Sequence, residues 1–69
     1  MIQTVRMTLE AARINAGLTQ KQVCEALGIS ATTIVLWEHG DRMPPVDKAI
    51  KMAELYGVPM ECINFCRKS

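Results

Sequence analysis

Residues 19–38 read TQKQVCEALGISATTIVLWE, and at helical spacing they form two short amphipathic helices joined by a tight turn. Thr19 is a good N-cap, and Gln22 three residues on completes a capping box. Val23, Cys24 and Leu27 then fall on one face, which argues for helix. Gly28 breaks the pattern where a positive φ is needed, and Ser30 is a second N-cap after the apolar Ile29. Ile34 and Trp37 make the inner stripe of the second helix, which His39 and Gly40 end. Cys24 is a small residue where the two helices would cross most closely, so a larger side chain there should hold them apart.

Outward from that stretch the punctuation is regular. Thr4 can cap a first helix running to about Ala16, with Val5, Leu9, Ala12 and Ala16 inward and Gly17 behind it. Pro44 and Pro45 cannot continue a helix and stiffen the exit from the central pair. A fourth helix over about 46–56 should bury Val46, Ala49, Ile50, Ala53 and Tyr56. Pro59 suits a first helical turn, so a short fifth helix is expected over 60–65, with residues 67–69 frayed. All four glycines follow a proposed helix, and all three prolines lie between helices. Nothing reads as a strand, a repeat or a linker. The expectation is one all-α domain of five short helices over residues 1–69, with its core at about 4–65.

Arg13, Gly17-Leu18-Thr19-Gln20, small Cys24, Gly28-Ile29-Ser30, Ile34, Trp37-Glu38 and Gly40 stand together in this order, followed by Pro44, Ala53 and Gly57-Val58. In this the chain resembles the lambda-repressor and Cro-like family, often called XRE-type, over roughly residues 5–65. The resemblance implies five helices with a helix-turn-helix at the second and third. It also implies an ion pair between Arg13 and Glu38, tying helix 1 to helix 3, and a phosphate contact by Gln20. Lys21 adds charge beside Gln20, where the helix start already favours an anion.

With Ile34 and Trp37 inward, Thr32, Val35, Leu36 and His39 point outward at about 100° per residue. Recognition helices present their N-terminal residues to base edges, so Ala31, Thr32, Thr33 and Leu36 are the candidates for base readout. Here the chain departs from the family, whose members often carry Gln, Arg, Asn or Ser at these places. Threonine can hydrogen-bond a base, and Ala, Val and Leu can touch a thymine methyl, but none of these contacts is bidentate. DNA shape would therefore carry much of the selectivity. His39 and Arg42, with Lys48, could add contacts to the phosphate backbone. The neighbouring apolar pair Val35 and Leu36 leaves an alternative open, a protein-interaction or antitoxin-type module on the same scaffold.

Composition bounds the rest. Sixty-nine residues allow one domain, and 49% hydrophobic content with one Trp, one Tyr and one Phe suits an aliphatic helical core. A chain this short buries only about 60% of its unfolded surface, so its core must be efficient or shared with a partner. Met60, Ile63 and Phe65 supply apolar surface for a homodimer built on the C-terminal segment. The net charge of +1 leaves phosphate binding to the placement of a few cations. Three cysteines argue against a disulfide framework, and Cys62, Cys66 and His39 lack zinc-ligand spacing, so no metal or cofactor is expected. One histidine and no Ser/His/Asp or paired-carboxylate arrangement exclude an enzyme. No apolar run approaches the about 20 residues needed to span a bilayer, and no signal peptide is evident, so the protein should be cytoplasmic. The pattern ends close to the last residue, and no sensing domain is expected. The composite expectation is a duplex-DNA-binding transcriptional regulator, repressor-like and homodimeric.

Overall fold

The computed structural model describes residues 7–65. Its elements run β1 (Met7–Thr8), α1 (Leu9–Asn15), α2 (Gln20–Leu27), α3 (Ala31–His39), α4 (Val46–Tyr56), a 3-10 turn (Met60–Cys62) and β2 (Ile63–Asn64). Four α-helices are thus present among the described residues, and two features correct the five-helix, strand-free expectation.

The first correction is at the start of α1. Thr8, not Thr4, is its cap: Thr8 is extended (φ −68, ψ 162) and its hydroxyl accepts from the Ala11 N–H at 3.0 Å. Thr4 and Val5 lie outside the described residues. Two threonines one helical turn apart compete for this role, and tertiary pairing decides between them. Met7 and Thr8 form a parallel ladder with Ile63 and Asn64, which holds Thr8 extended.

The second correction is at the other end of that ladder. Instead of a helix over 60–65, a single 3-10 turn closes with the Cys62 N–H donating to the Pro59 carbonyl at 2.9 Å. The chain then straightens at Ile63 (φ −105, ψ 126), whose side chain enters the core and is 4% exposed. Ile63 is therefore spent in the core of its own chain and offers little surface to a dimer face, contrary to its expected role. Phe65 is half-buried against the same core, and Met60 alone of the three is exposed.

The four helices and β2 supply the buried core. Leu9 and Ala12 come from α1, Val23 and Leu27 from α2, Ile34 and Trp37 from α3, Met52, Ala53 and Tyr56 from α4, and Ile63 from β2. On α4 the buried residues are Ala49, Met52, Ala53 and Tyr56, at i, i+3, i+4 and i+7. Val46 and Ile50, expected inside, stand at the shoulder of that stripe and are 73% and 42% exposed.

Candidate nucleic-acid interface

The helix-turn-helix is built from local chemistry. The Thr19 hydroxyl accepts from the Gln22 N–H at 3.1 Å, and the Thr19 N–H donates to Gln22 Oε1 at 2.8 Å. This reciprocal pair opens α2 and satisfies two otherwise orphaned donors. At the other end, Gly28 adopts φ 69, and the N–H groups of Gly28 and Ile29 both donate to the Cys24 carbonyl, at 2.8 and 3.0 Å. A side chain would strain this left-handed backbone, although a Cβ there meets nothing within 4 Å. Ser30 then caps α3, its hydroxyl accepting from the Thr33 N–H at 3.2 Å. The Cys24 thiol lies in this crook, 3.5 Å from the Ser30 carbonyl. Burial, then the charges of Glu38 and Glu25, push its pKa up from the ordinary thiol value.

Beneath the motif sits a charged cluster that ties three helices together. Arg13 Nε donates to Glu38 Oε2 at 2.7 Å, and the two side chains are 11% and 2% exposed. Arg13 Nη1 also donates to the Leu18 carbonyl at 2.9 Å, fixing the α1–α2 turn. The second carboxylate oxygen, Glu38 Oε1, accepts from Gln20 Nε2 at 2.9 Å. The expected ion-pair residues and an expected phosphate contact thus share one carboxylate. Sequence reasoning placed Gln20 only at the helix start and missed its bond to Glu38, 18 residues away.

Gln20, Lys21, Cys24, Glu25, Ile29 and Ala31 line one hollow of about 490 Å³ at the mouth of the motif. The candidate phosphate residues of α2 and the first residue of α3 are therefore neighbours. Ala31 and Thr32 are exposed, as are Lys21, His39 and Arg42. Thr33 is less available, since its hydroxyl is 2.9 Å from that of Ser30. Leu36 is half-buried, and its carbonyl accepts from the N–H groups of Asp41 and Arg42 at 3.0 and 3.3 Å. These two hydrogen bonds fold the chain back after Gly40 and set Arg42 close to the end of α3.

Two outward residues are corrected. Val35 is half-buried and rests on the core, so Val35 and Leu36 do not make the exposed apolar pair on which a docking surface was drawn. Lys48 has a structural partner that the sequence did not suggest: its Nζ donates to the Leu27 carbonyl at 3.1 Å, closing the C-terminal end of α2. Cys66 lies outside the described residues, and among those described no group of three His, Cys, Asp or Glu could hold a metal ion. No helix among them is long and apolar enough to cross a membrane.

A protein family described as helix-turn-helix matches residues 9–61, spanning α1 to the 3-10 turn. The chain is also similar to the cryptic phage CTXphi transcriptional repressor RstR of Vibrio cholerae, at 31% identity over 48 residues. That match covers 70% of this chain and 43% of the relative, so the chain spans less than half of the relative's length. No solved structure matches it.

Proposed function

We propose that this chain, which belongs to the helix-turn-helix family, binds duplex DNA as a transcriptional regulator of the repressor type. The observation that carries the reading is the shared mouth of α2 and α3, where Gln20 and Lys21 flank the exposed first turn of α3. Gln20 and Lys21, with His39 at the other end of α3 and Arg42 beyond it, would meet phosphates. Ala31 and Thr32 would meet base edges in the major groove, with Leu36 and Thr33 behind them. The role is regulatory, not catalytic, and it would be exercised in the cytoplasm. Two protomers would bind a two-fold site, placing their α3 helices about one turn of DNA apart. Met60 and the half-buried Phe65 are the residues proposed for that contact.

Titration of random duplexes, and of DNA flanking the protein's own gene, tests this at low salt. Lys21→Ala should weaken every sequence alike. Thr32→Ala or Leu36→Ala should instead alter which sequences are preferred, by about 1 kcal/mol or less per site, because no contact is bidentate. Absence of binding to every duplex at low salt would remove the reading. One observation favours a second reading, a protein-docking or antitoxin-type role: Met43 and Val46 are 63% and 73% exposed, beside exposed Ile50. If no duplex binds, that stripe is the surface to probe.

A further inference from the structure

Glu38 has two carboxylate oxygens facing two different donors, Arg13 from α1 and Gln20 from α2. A carboxylate accepts hydrogen bonds and cannot donate them, so it selects one orientation of the Gln20 carboxamide. The nitrogen must face inward, because the flipped amide would set oxygen against oxygen. Glu38 is itself 2% exposed and held by Arg13 at 2.7 Å, so Gln20 is anchored to a fixed point. The second N–H of the Gln20 amide has no partner among the described residues. Gln20 is also the first residue of α2, half-buried beside exposed Lys21.

We propose that Glu38 is a positioning residue for DNA contact: its carboxylate, oriented by Arg13, locks the Gln20 carboxamide so that its remaining N–H is held ready for a phosphate oxygen. A glutamine free in solvent loses rotamer freedom when it meets a phosphate, whereas this one is already placed. The ion pair under the motif therefore acts on affinity as well as on folding. The inference rests on the DNA-binding reading.

Affinity for a random-sequence duplex at low salt is measured for wild type, Gln20→Met, Glu38→Met and the double variant, at a temperature where each is folded by circular dichroism. Each single variant should bind about fivefold more weakly, the scale of one hydrogen bond, and the double variant no more weakly than either. A Glu38 that serves folding alone leaves the folded protein's affinity unchanged, or adds its loss to that of Gln20→Met. Either result overturns the proposal. Glu38→Met strands the Arg13 charge; should it not fold, Arg13→Met/Glu38→Met, which removes both charges, takes its place in the cycle. Lys21→Ala separates the two failures. If it weakens binding while Gln20→Met does not, DNA binding stands and the positioning role falls; if wild type binds no duplex, both fall.

Discussion

Arg13 and Glu38 are buried charges, and each is the other's opposite charge, with the Leu18 carbonyl and the Gln20 amide as further hydrogen-bond partners. Removing one side chain strands its partner at a site where the pair is 11% and 2% exposed. Arg13→Ala or Glu38→Ala should each cost about 3 kcal/mol of stability, and the double substitution should cost less than their sum. Urea unfolding of the four proteins checks this, and additive losses would show two independent charges. Tyr56 is a buried polar residue of the opposite kind. Its hydroxyl is buried and finds no hydrogen-bond partner among the described residues. Burial first, and the Glu38 charge second, push its pKa up to about 12. Below about pH 10 the phenol is protonated in both folded and unfolded chains and adds no pH dependence. Above that, the unfolded chain ionises first, so stability falls as pH rises toward 12. At pH 8, Tyr56→Phe should be neutral or stabilising by up to about 1 kcal/mol, since only an unpartnered group is lost. By pH 11.5 the wild type should have lost about 2 kcal/mol more than the variant. Parallel losses in urea midpoints at the two pH values would remove the phenol as the cause.

At the scale of elements, α2 needs help at its C-terminal end. It has no basic residue in its last turn, and Lys48 from α4 supplies one by donating to the Leu27 carbonyl at 3.1 Å. Lys48→Met keeps the aliphatic stem and removes the charge, so it should cost about 0.5–1 kcal/mol, or about 4 °C in Tm. Faster amide exchange confined to the last turn of α2 should accompany the loss. An unchanged Tm would reduce the contact to an incidental one. The limits of α2 and α3 were legible because each end carries its own local chemistry: Thr19 with Gln22, then Gly28, Ser30 and Gly40. The start of α1 was not legible, because Thr4 and Thr8 are equally good caps and the choice depends on pairing between residues 8 and 64. A strand of two residues has no alternation to read, so the ladder and the end of the 3-10 turn at Cys62 were invisible for the same reason. On α4 the expected Ala49, Ala53 and Tyr56 are buried, but flexible Met52 joins them in the core and the β-branched Val46 and Ile50 do not. In the candidate site the residue types were legible, while the bonds Gln20 to Glu38 and Lys48 to Leu27 span 18 and 21 residues and have no sequence period.

The whole molecule carries a net charge of +1, and its cations are not equally available. Arg13 is committed to Glu38 and Lys48 to α2, which leaves Lys21 and Arg42 exposed on the candidate interface. Two such cations per chain bind weakly alone, so the proposed pairing of two chains would raise the affinity for an operator. Met60 is exposed and Ile63 is 4% exposed inside the protomer, so the two residues should respond differently to a charge. Met60→Asp should leave the helical spectrum intact and shift sedimentation to the monomer, whereas Ile63→Asp should unfold the chain. A wild type that stays monomeric even on a palindromic duplex would remove the dimer. Salt then counts the contacts. Each phosphate neutralised contributes about 0.9 to the slope of log K against log salt. A monomer using Lys21 and Arg42 should give a slope near about −2. A dimer making about four to six charge contacts should give about −4 to −5. Within that dimer, Lys21→Ala removes two contacts and should flatten the slope by about 2, while Thr32→Ala leaves it unchanged. A wild-type slope much steeper than −5 would mean that cations other than these two carry the phosphate contact. Lys21→Ala would then leave most of the salt dependence in place, and the interface would have to be redrawn around those other residues.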